Sequence, residues 1–354
     1  MKSIESERIT NLPPYIFQLT NDRRARARQE GRDVIDLAMG NPDLPPPQPV
    51  IEKMREVLSD PKVHRYSASK GIPHLRREIS LWYDRRFGVK IDPDEEAIVT
   101  IGSKEGISHL ALAIFDRGDV VLTPNPTYPS HLYSVIMAGA SIYDIPLLPD
   151  NNFIPDLNQP IYDRYPGPKA MIVSYPNNPT TQVVELDFFK DLVKFAKKND
   201  IIITHDIAYS EICFDGYKAP SFLQVEGAKD VGVEFYSLSK TYNMAGWRVG
   251  FMVGNKHIVK ALTKLKSYYD YGIFTPIQVA AICALRLEQK YIDTTVEQYK
   301  RRRDTLVEGL NRIGWKVNKP RATMYVWAEI PERFKPMGSL DFALYLLDKC
   351  DLVV

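Results

Sequence analysis

The residues with the most chemical content lie in the stretch Ser237-Leu238-Ser239-Lys240-Thr241-Tyr242-Asn243-Met244-Ala245-Gly246-Trp247-Arg248-Val249-Gly250. Lys240 follows an apolar run that reads as a buried strand, and it stands among hydroxyls. An ammonium in such a place is costly unless it is paired, neutral or covalently used. Arg248 sits in a glycine-flanked apolar stretch, where a fixed guanidinium suits a dianionic phosphate. Ser237 and Ser239 offer hydroxyls to the same anion. Lysine beside a phosphate clamp points to a Schiff base with a phosphorylated aldehyde cofactor. The S-x-S-K run alone is equally compatible with a lysine in a surface loop. The G-x-R-x-G pattern that follows it is what tilts the reading towards the cofactor.

Such a cofactor makes further demands. Its pyridine nitrogen needs a carboxylate to hold a proton there. Asp206 follows the run Ile201-Ile202-Ile203-Thr204-His205 at a predicted strand tip, although a helix N-cap would also explain it. Tyr209 can reach the same place and donate to the phenolic oxygen. Asn178, in Ser174-Tyr175-Pro176-Asn177-Asn178-Pro179-Thr180, is a second donor, or simply part of an Asn-Pro turn. The phosphate needs a helix N-terminus, and Ile101-Gly102-Ser103-Lys104-Glu105-Gly106 joins a strand to a helix. Tyr128, in the loop Pro124-Asn125-Pro126-Thr127-Tyr128-Pro129, can stack on a ring.

These residues are useful only if one scaffold brings them to one edge. Short apolar runs predict strands at 97–100, 120–123, 141–145, 170–174, 201–205, 233–237 and 249–253. Helical stretches fit between them, for example 104–115 and 186–198. Short buried strands alternating with helices imply a mostly parallel α/β sheet, whose ligands lie beyond the carboxyl ends of the strands. The candidates above cluster at the ends of such strands. Ahead of the sheet lie a basic helical stretch (21–30), a short strand (33–39), the breaker-rich loop 40–47 and helices at 48–58 and 73–87. After residue 255 helices are expected at 256–271, 275–290 and 291–313. A strand at 324–330 and a helix at 340–349 then begin a second unit. Residues 351–354 read as an unfinished strand, so the sequence reads as truncated.

Composition narrows the class. The chain has 354 residues, 44% hydrophobic and 25% charged, and a net charge of +2. These values suit a soluble globular protein and give no reason to expect nucleic acid or an anionic membrane as partner. No metal is expected, because Cys213, Cys283 and Cys350 form no ligand cluster. They read as small buried hydrophobes of a protein in a reducing cytoplasm. The N-terminus lacks an apolar signal core, and no run is long enough to span a membrane.

Taken together, Gly40-Asn41-Pro42, Tyr66 with Gly71-Ile72-Pro73, Gly102-Ser103-Lys104, Pro126-Thr127-Tyr128-Pro129, Asn178-Pro179-Thr180, Asp206 with Tyr209, and Ser237 through Arg248 give the chain a family likeness. It resembles the fold-type I, class I/II pyridoxal 5'-phosphate aminotransferases over its whole length, and within them the bacterial glutamate–pyruvate (alanine) aminotransferases. LL-diaminopimelate or aspartate aminotransferase is the alternative, with a β-lyase behind those. The resemblance implies an arm and part of a small domain at 1–46, a large cofactor domain at 47–287 and a small domain at 288–354. It implies ping-pong amino transfer between an L-amino acid and a 2-oxo acid in amino-acid biosynthesis. Lys240, Asp206 and Tyr209 would be the catalytic residues. Ser103, Lys104, Ser237, Ser239 and Arg248 would hold the phosphate, Asn178 and Tyr209 the phenolic oxygen, and Tyr128 the ring. Tyr66 would reach the phosphate of the other subunit of a homodimer. Gly40, Tyr15 and Asn178 would line the substrate pocket. Two departures stand out. Thr181 replaces a usual Gly or Ala, a change expected to be tolerated. The arginine that binds the substrate carboxylate in the family is expected beyond Val354.

Overall fold

The computed structural model describes residues 4–13, 16–158 and 166–354. The chain opens with helices α1 (Glu7–Thr10) and α2 (Ile16–Gln29), the strand β1 (Ile35–Asp36), and helices α3 (Gln48–Leu58) and α4 (Pro73–Phe87). Proline in the first turn starts α3 and α4, where its missing N–H costs nothing. Gly88 in the left-handed conformation ends α4. There follow β2 (Ala97–Thr100), α5 (Gly102–Ile114), β3 (Val120–Asn125), α6 (Pro129–Ala138), β4 (Ser141–Pro146), β5 (Ala170–Ser174), α7 (Leu186–Asn199) and β6 (Ile202–Asp206). The sheet closes with α8 (Ala228–Val231), β7 (Gly232–Ser237), α9 (Leu238–Thr241) and β8 (Gly250–Gly254). Beyond it lie α10 (Lys256–Tyr269), α11 (Thr275–Leu285), α12 (Gln289–Arg312), α13 (Gly338–Cys350) and β9 (Leu352–Val353).

Seven strands form one mixed sheet in the order β2-β8-β7-β6-β5-β3-β4. β8 alone runs against its neighbours β7 and β2. The other pairings are parallel. The carboxyl ends of β2, β3, β5, β6 and β7 therefore share one edge. Strand alternation divides the core between two faces. Ile98, Val233, Phe235 and Met252 pack with Ile107 and Leu110 of α5 and Val259 and Leu262 of α10. Ala97, Val99, Tyr236 and Phe251 face the other way, towards Trp82 and Tyr83 of α4 and Phe189 and Leu192 of α7. Burial on both faces is why these strands are near-continuous apolar runs.

Three expectations need correction. The strand expected at 324–330 is absent: residues 324–330 are irregular, and the nearest pairing is the isolated bridge Cys213↔Ala322 just ahead of them. Its β-prone residues Tyr325, Val326 and Trp327 have no ladder to join, and Thr323 at φ 73 bends the entry. The strand expected at 33–39 shrinks to Ile35–Asp36, which pairs with Leu352–Val353. Asp36 is held by Arg24 and caps the Ala38 N–H, so the chain turns there. The cysteines are free but not fully buried: Cys350 is exposed and the other two are half-buried. No helix among the described residues is long and apolar enough to cross a membrane.

Candidate functional site

The anion cradle is built where β2 turns into α5. Gly102 has φ +76, and a Cβ there would overlap the Arg248 guanidinium. Only glycine lets the arginine lie against the start of the helix. Arg248 is itself in the left-handed conformation, and its Nη1 donates to the Ala245 carbonyl at 2.9 Å, which fixes the planar head. Beside it, Ser237 ends β7 and its hydroxyl accepts the Ser239 N–H at 3.2 Å. Helix N-terminal amides, a guanidinium and two serines thus meet at one place, a donor set that fits a phosphate group. Ser103 is half-buried in the first turn and Lys104 is exposed on it. Tyr66 is 86% exposed and stacks on Tyr271, with ring centres 4.5 Å apart.

Lys240 is carried by α9, directly after β7. Its Nζ donates to the Gly40 carbonyl at 2.6 Å. Burial, assisted by the charge of Arg248, brings its pKa down to about 8. At pH 7.4 about a fifth of such amines are neutral, against about one in a thousand for an ordinary lysine. In cofactor-free protein, reductive methylation of Lys240 followed by peptide mass spectrometry is therefore expected to reach half its maximal rate near pH 8. A midpoint above about pH 10 would mean the amine is not desolvated.

Tyr325 is a residue the sequence reading missed. Its hydroxyl lies 2.8 Å from that of Tyr209, and the Asn178 amide reaches both, at 3.4 and 3.5 Å. A Cβ on Gly40 would overlap the Tyr325 ring. Burial, together with the neighbouring Tyr325, raises the Tyr209 hydroxyl well above the usual tyrosine range, so it stays a proton donor. Nothing local in the sequence marks Tyr325, since its segment reaches the site by long-range contacts, among them the 213–322 bridge and the hydroxyl's own bonds to Tyr209 and Asn178.

Asp206 is the last residue of β6 and is 6% exposed. One oxygen accepts the Ala208 N–H at 3.1 Å, and the other lies 3.1 Å from His131 Nε2. A carboxylate only accepts, so Nε2 carries the proton. Nδ1 lies 2.8 Å from Thr127 Oγ1. His131 is also missing from the sequence reading. Its signal was the position four residues after Thr127, in the first turn of α6, whose first residue follows Tyr128. The Tyr128 ring stands edge-on to His131, with centres 5.7 Å apart. Tyr15 lies outside the described residues.

The Asn178 loop carries one strained residue. Thr181 sits at φ 62 with 8% exposure, a conformation that costs a β-branched residue about 1–3 kcal/mol. The substitution is thus less benign than its chemistry suggests. Thr181→Gly is expected to raise the thermal unfolding midpoint by about 2 °C, because relief of strain exceeds the added flexibility of the unfolded chain. A fall in the midpoint would show that packing of the threonine methyl outweighs the strain.

Comparisons with known proteins agree with this geometry. The family model described as aminotransferase class I and II matches residues 32–354. The glutamate-pyruvate aminotransferase AlaC of Escherichia coli is 54% identical over 347 residues, covering 98% of this chain and 84% of that protein. An LL-diaminopimelate aminotransferase of Dehalococcoides mccartyi is 47% identical over 349 residues, covering 99% and 89%. Among solved structures, substrate-bound BacF from Bacillus subtilis superposes with a TM-score of 0.95 at 36% identity, covering 99% of this chain and 89% of that one. A Thermus thermophilus aspartate aminotransferase mutant gives a TM-score of 0.91 at 29% identity, covering 100% and 91%. The chain belongs to the class I and II aminotransferase family and is a transaminase of the fold-type I architecture.

Proposed function

We propose that this transaminase binds pyridoxal 5'-phosphate and exchanges amino groups between L-glutamate and pyruvate by a ping-pong mechanism. The observation that carries the cofactor reading is the convergence of a depressed lysine, Lys240, with a buried carboxylate, Asp206, around donors suited to a phosphate and a phenolic oxygen. Bound there, the cofactor would supply an aldehyde carbon for amine exchange and a pyridine ring that draws electrons from the substrate Cα. The chain's own residues do the rest. Lys240 Nζ would be the group that holds the aldehyde carbon, and its amine would move the proton at the substrate Cα. Asp206 keeps a proton on the pyridine nitrogen, and His131 fixes the carboxylate's direction. Asn178 and Tyr209 donate to the phenolic oxygen. Ser103, Lys104, Ser237, Ser239 and Arg248 hold the phosphate, and Tyr128 covers the ring. Gly40 and Asn178 would line the substrate side.

Support for the substrate pair is the 54% identity to AlaC, against 47% for the diaminopimelate enzyme. The same reading makes the protein a homodimer, with Tyr66 reaching the partner copy's phosphate. The exposed aromatic patch of Tyr66, Tyr268, Tyr269 and Tyr271 suits burial against a second copy. Residues 1–46, 47–287 and 288–354 are read as arm, large domain and small domain. Three unpaired cysteines suit a reducing cytoplasm. The test is the visible absorbance of the cofactor-loaded protein. L-Glutamate is expected to bleach the band and pyruvate to restore it. A band moved by LL-diaminopimelate but not by glutamate would assign the alternative substrate. A protein that acquires no visible band with added cofactor would overturn the cofactor reading.

A further inference from the structure

Behind the anion cradle lies a further cation, outside the site. Lys266 of α10 is 0% exposed. Its Nζ donates to Glu105 Oε1 at 2.7 Å and to Asp270 Oδ2 at 2.8 Å. Glu105 stands in the first turn of α5, and its other oxygen accepts the Ile101 N–H at 2.8 Å. The carboxylate therefore caps the very turn that forms the cradle. A helix N-terminus welcomes a carboxylate. The same turn is read as the receiver of a dianionic phosphate, which an adjacent carboxylate repels.

The charges around Glu105 are few. His109 Nδ1 lies 2.6 Å from Glu105 Oε1. Burial pushes the Glu105 carboxyl up, but the His109 and Lys266 contacts outweigh it and hold the group below the usual carboxylate range. Glu105, His109 and Asp270 bring ligand atoms within 4.8 Å of one another, the kind of grouping that holds a metal cation. The Lys266 ammonium is bonded to two of the three, so the protein supplies its own cation there. It is fixed from the far side as well. Asp270 Oδ1 accepts the Gly272 N–H at 2.7 Å, and the Asp270 carbonyl accepts the Ser69 hydroxyl at 2.6 Å.

We propose that Lys266 is a positioning residue of the anion site: its buried ammonium offsets the charge of Glu105, so the first turn of α5 keeps its carboxylate cap and still receives a phosphate. The proposal rests on reading the cradle as the phosphate site of the cofactor. It makes Lys266 a determinant of phosphate affinity through a residue that never touches the phosphate. Removing both charged partners should then cost far less than removing the lysine alone.

The test compares the full chain and three variants, Lys266→Met, Glu105→Gln and the double substitution, each stripped of cofactor. Each is titrated with pyridoxal 5'-phosphate and separately with pyridoxal, which lacks the phosphate. Lys266→Met is expected to weaken pyridoxal 5'-phosphate on the order of tenfold and pyridoxal by less than about twofold. Glu105→Gln is expected to bind pyridoxal 5'-phosphate at least as tightly as the unaltered chain. The double variant is expected to return to within about threefold of it. Equal losses for both ligands in Lys266→Met would overturn the proposal, since a merely structural lysine would move both. So would a double variant no better than Lys266→Met. If Lys266→Met does not fold, Glu105→Gln carries the test, and a phosphate-specific loss in it overturns the proposal. If the unaltered chain gains nothing from the phosphate, the cradle reading fails first and the role of Lys266 falls with it.

Discussion

Lys240→Ala is expected to give a folded protein whose amino-transfer rate is lower by about 10⁴-fold or more. The expectation follows from two roles on one atom. In the proposed function Nζ is the nucleophile for the aldehyde and, once displaced, the base for the Cα proton, while the amine of Lys104 is exposed and assigned to the phosphate. Arg248, whose charge acts on Lys240, is a planar guanidinium and not an amine nucleophile. Stability should change little. The substitution loses one hydrogen bond, to the Gly40 carbonyl, and removes an ammonium that burial already disfavours. Lys240→Arg separates charge from chemistry: it keeps a cation and cannot become neutral, so it should be as inactive as the alanine variant. Steady-state rates and a thermal melt of all three proteins decide the matter. Substantial turnover in either variant would move the catalytic role elsewhere. A collapsed melt in Lys240→Ala would make the lysine a folding residue instead.

The parts that chemistry and periodicity jointly specify were the most legible. The seven strand segments of the sheet lie within a few residues of where apolar runs put them, because double-sided burial leaves no polar face to blur the pattern. The residues at their carboxyl ends were legible because each has a chemical type that a buried strand tip does not otherwise want. Asp206 and Lys240 are the clearest cases. Contacts made by long-range closure were not legible. Tyr325 enters the site through long-range contacts, the bridge to the 213 region and its bonds to Tyr209 and Asn178, and nothing in Thr323-Met324-Tyr325 announces this. The β-prone run around Tyr325 was misread as a strand because propensity without a ladder partner does not make one. Lys266 was invisible for another reason: in sequence it is one lysine of a charged helix, and only the fold shows that its face is wholly buried. Thr181 shows the reverse, a residue that side-chain chemistry calls harmless and backbone geometry calls strained.

Asp206→Ala is expected to lower the amino-transfer rate by about 10³-fold while leaving Lys240 able to capture the aldehyde. In the proposed function the carboxylate would keep a proton on the pyridine nitrogen, which matters most when the Cα proton leaves. Loss should therefore fall on kcat rather than on the affinity for the amino acid. His131 gives the prediction a second handle. Its Nε2–H holds one Asp206 oxygen, and the Ala208 amide holds the other. His131→Phe leaves the carboxylate in place with one fewer donor and keeps a ring beside Tyr128. It should cost on the order of tenfold, and it should not deepen the defect once Asp206 is gone. A double-mutant cycle reads this directly. If His131→Phe costs the same in both backgrounds, the histidine acts independently of Asp206. If Asp206→Ala keeps the original kcat, the proton on the pyridine nitrogen is held by another group, and the assignment of the buried end of β6 to that nitrogen is wrong. The geometry argues against that outcome. Asp206 is buried, ends its strand at the shared carboxyl edge, and has both oxygens aimed by fixed donors, which is more organisation than a solvated helix cap requires.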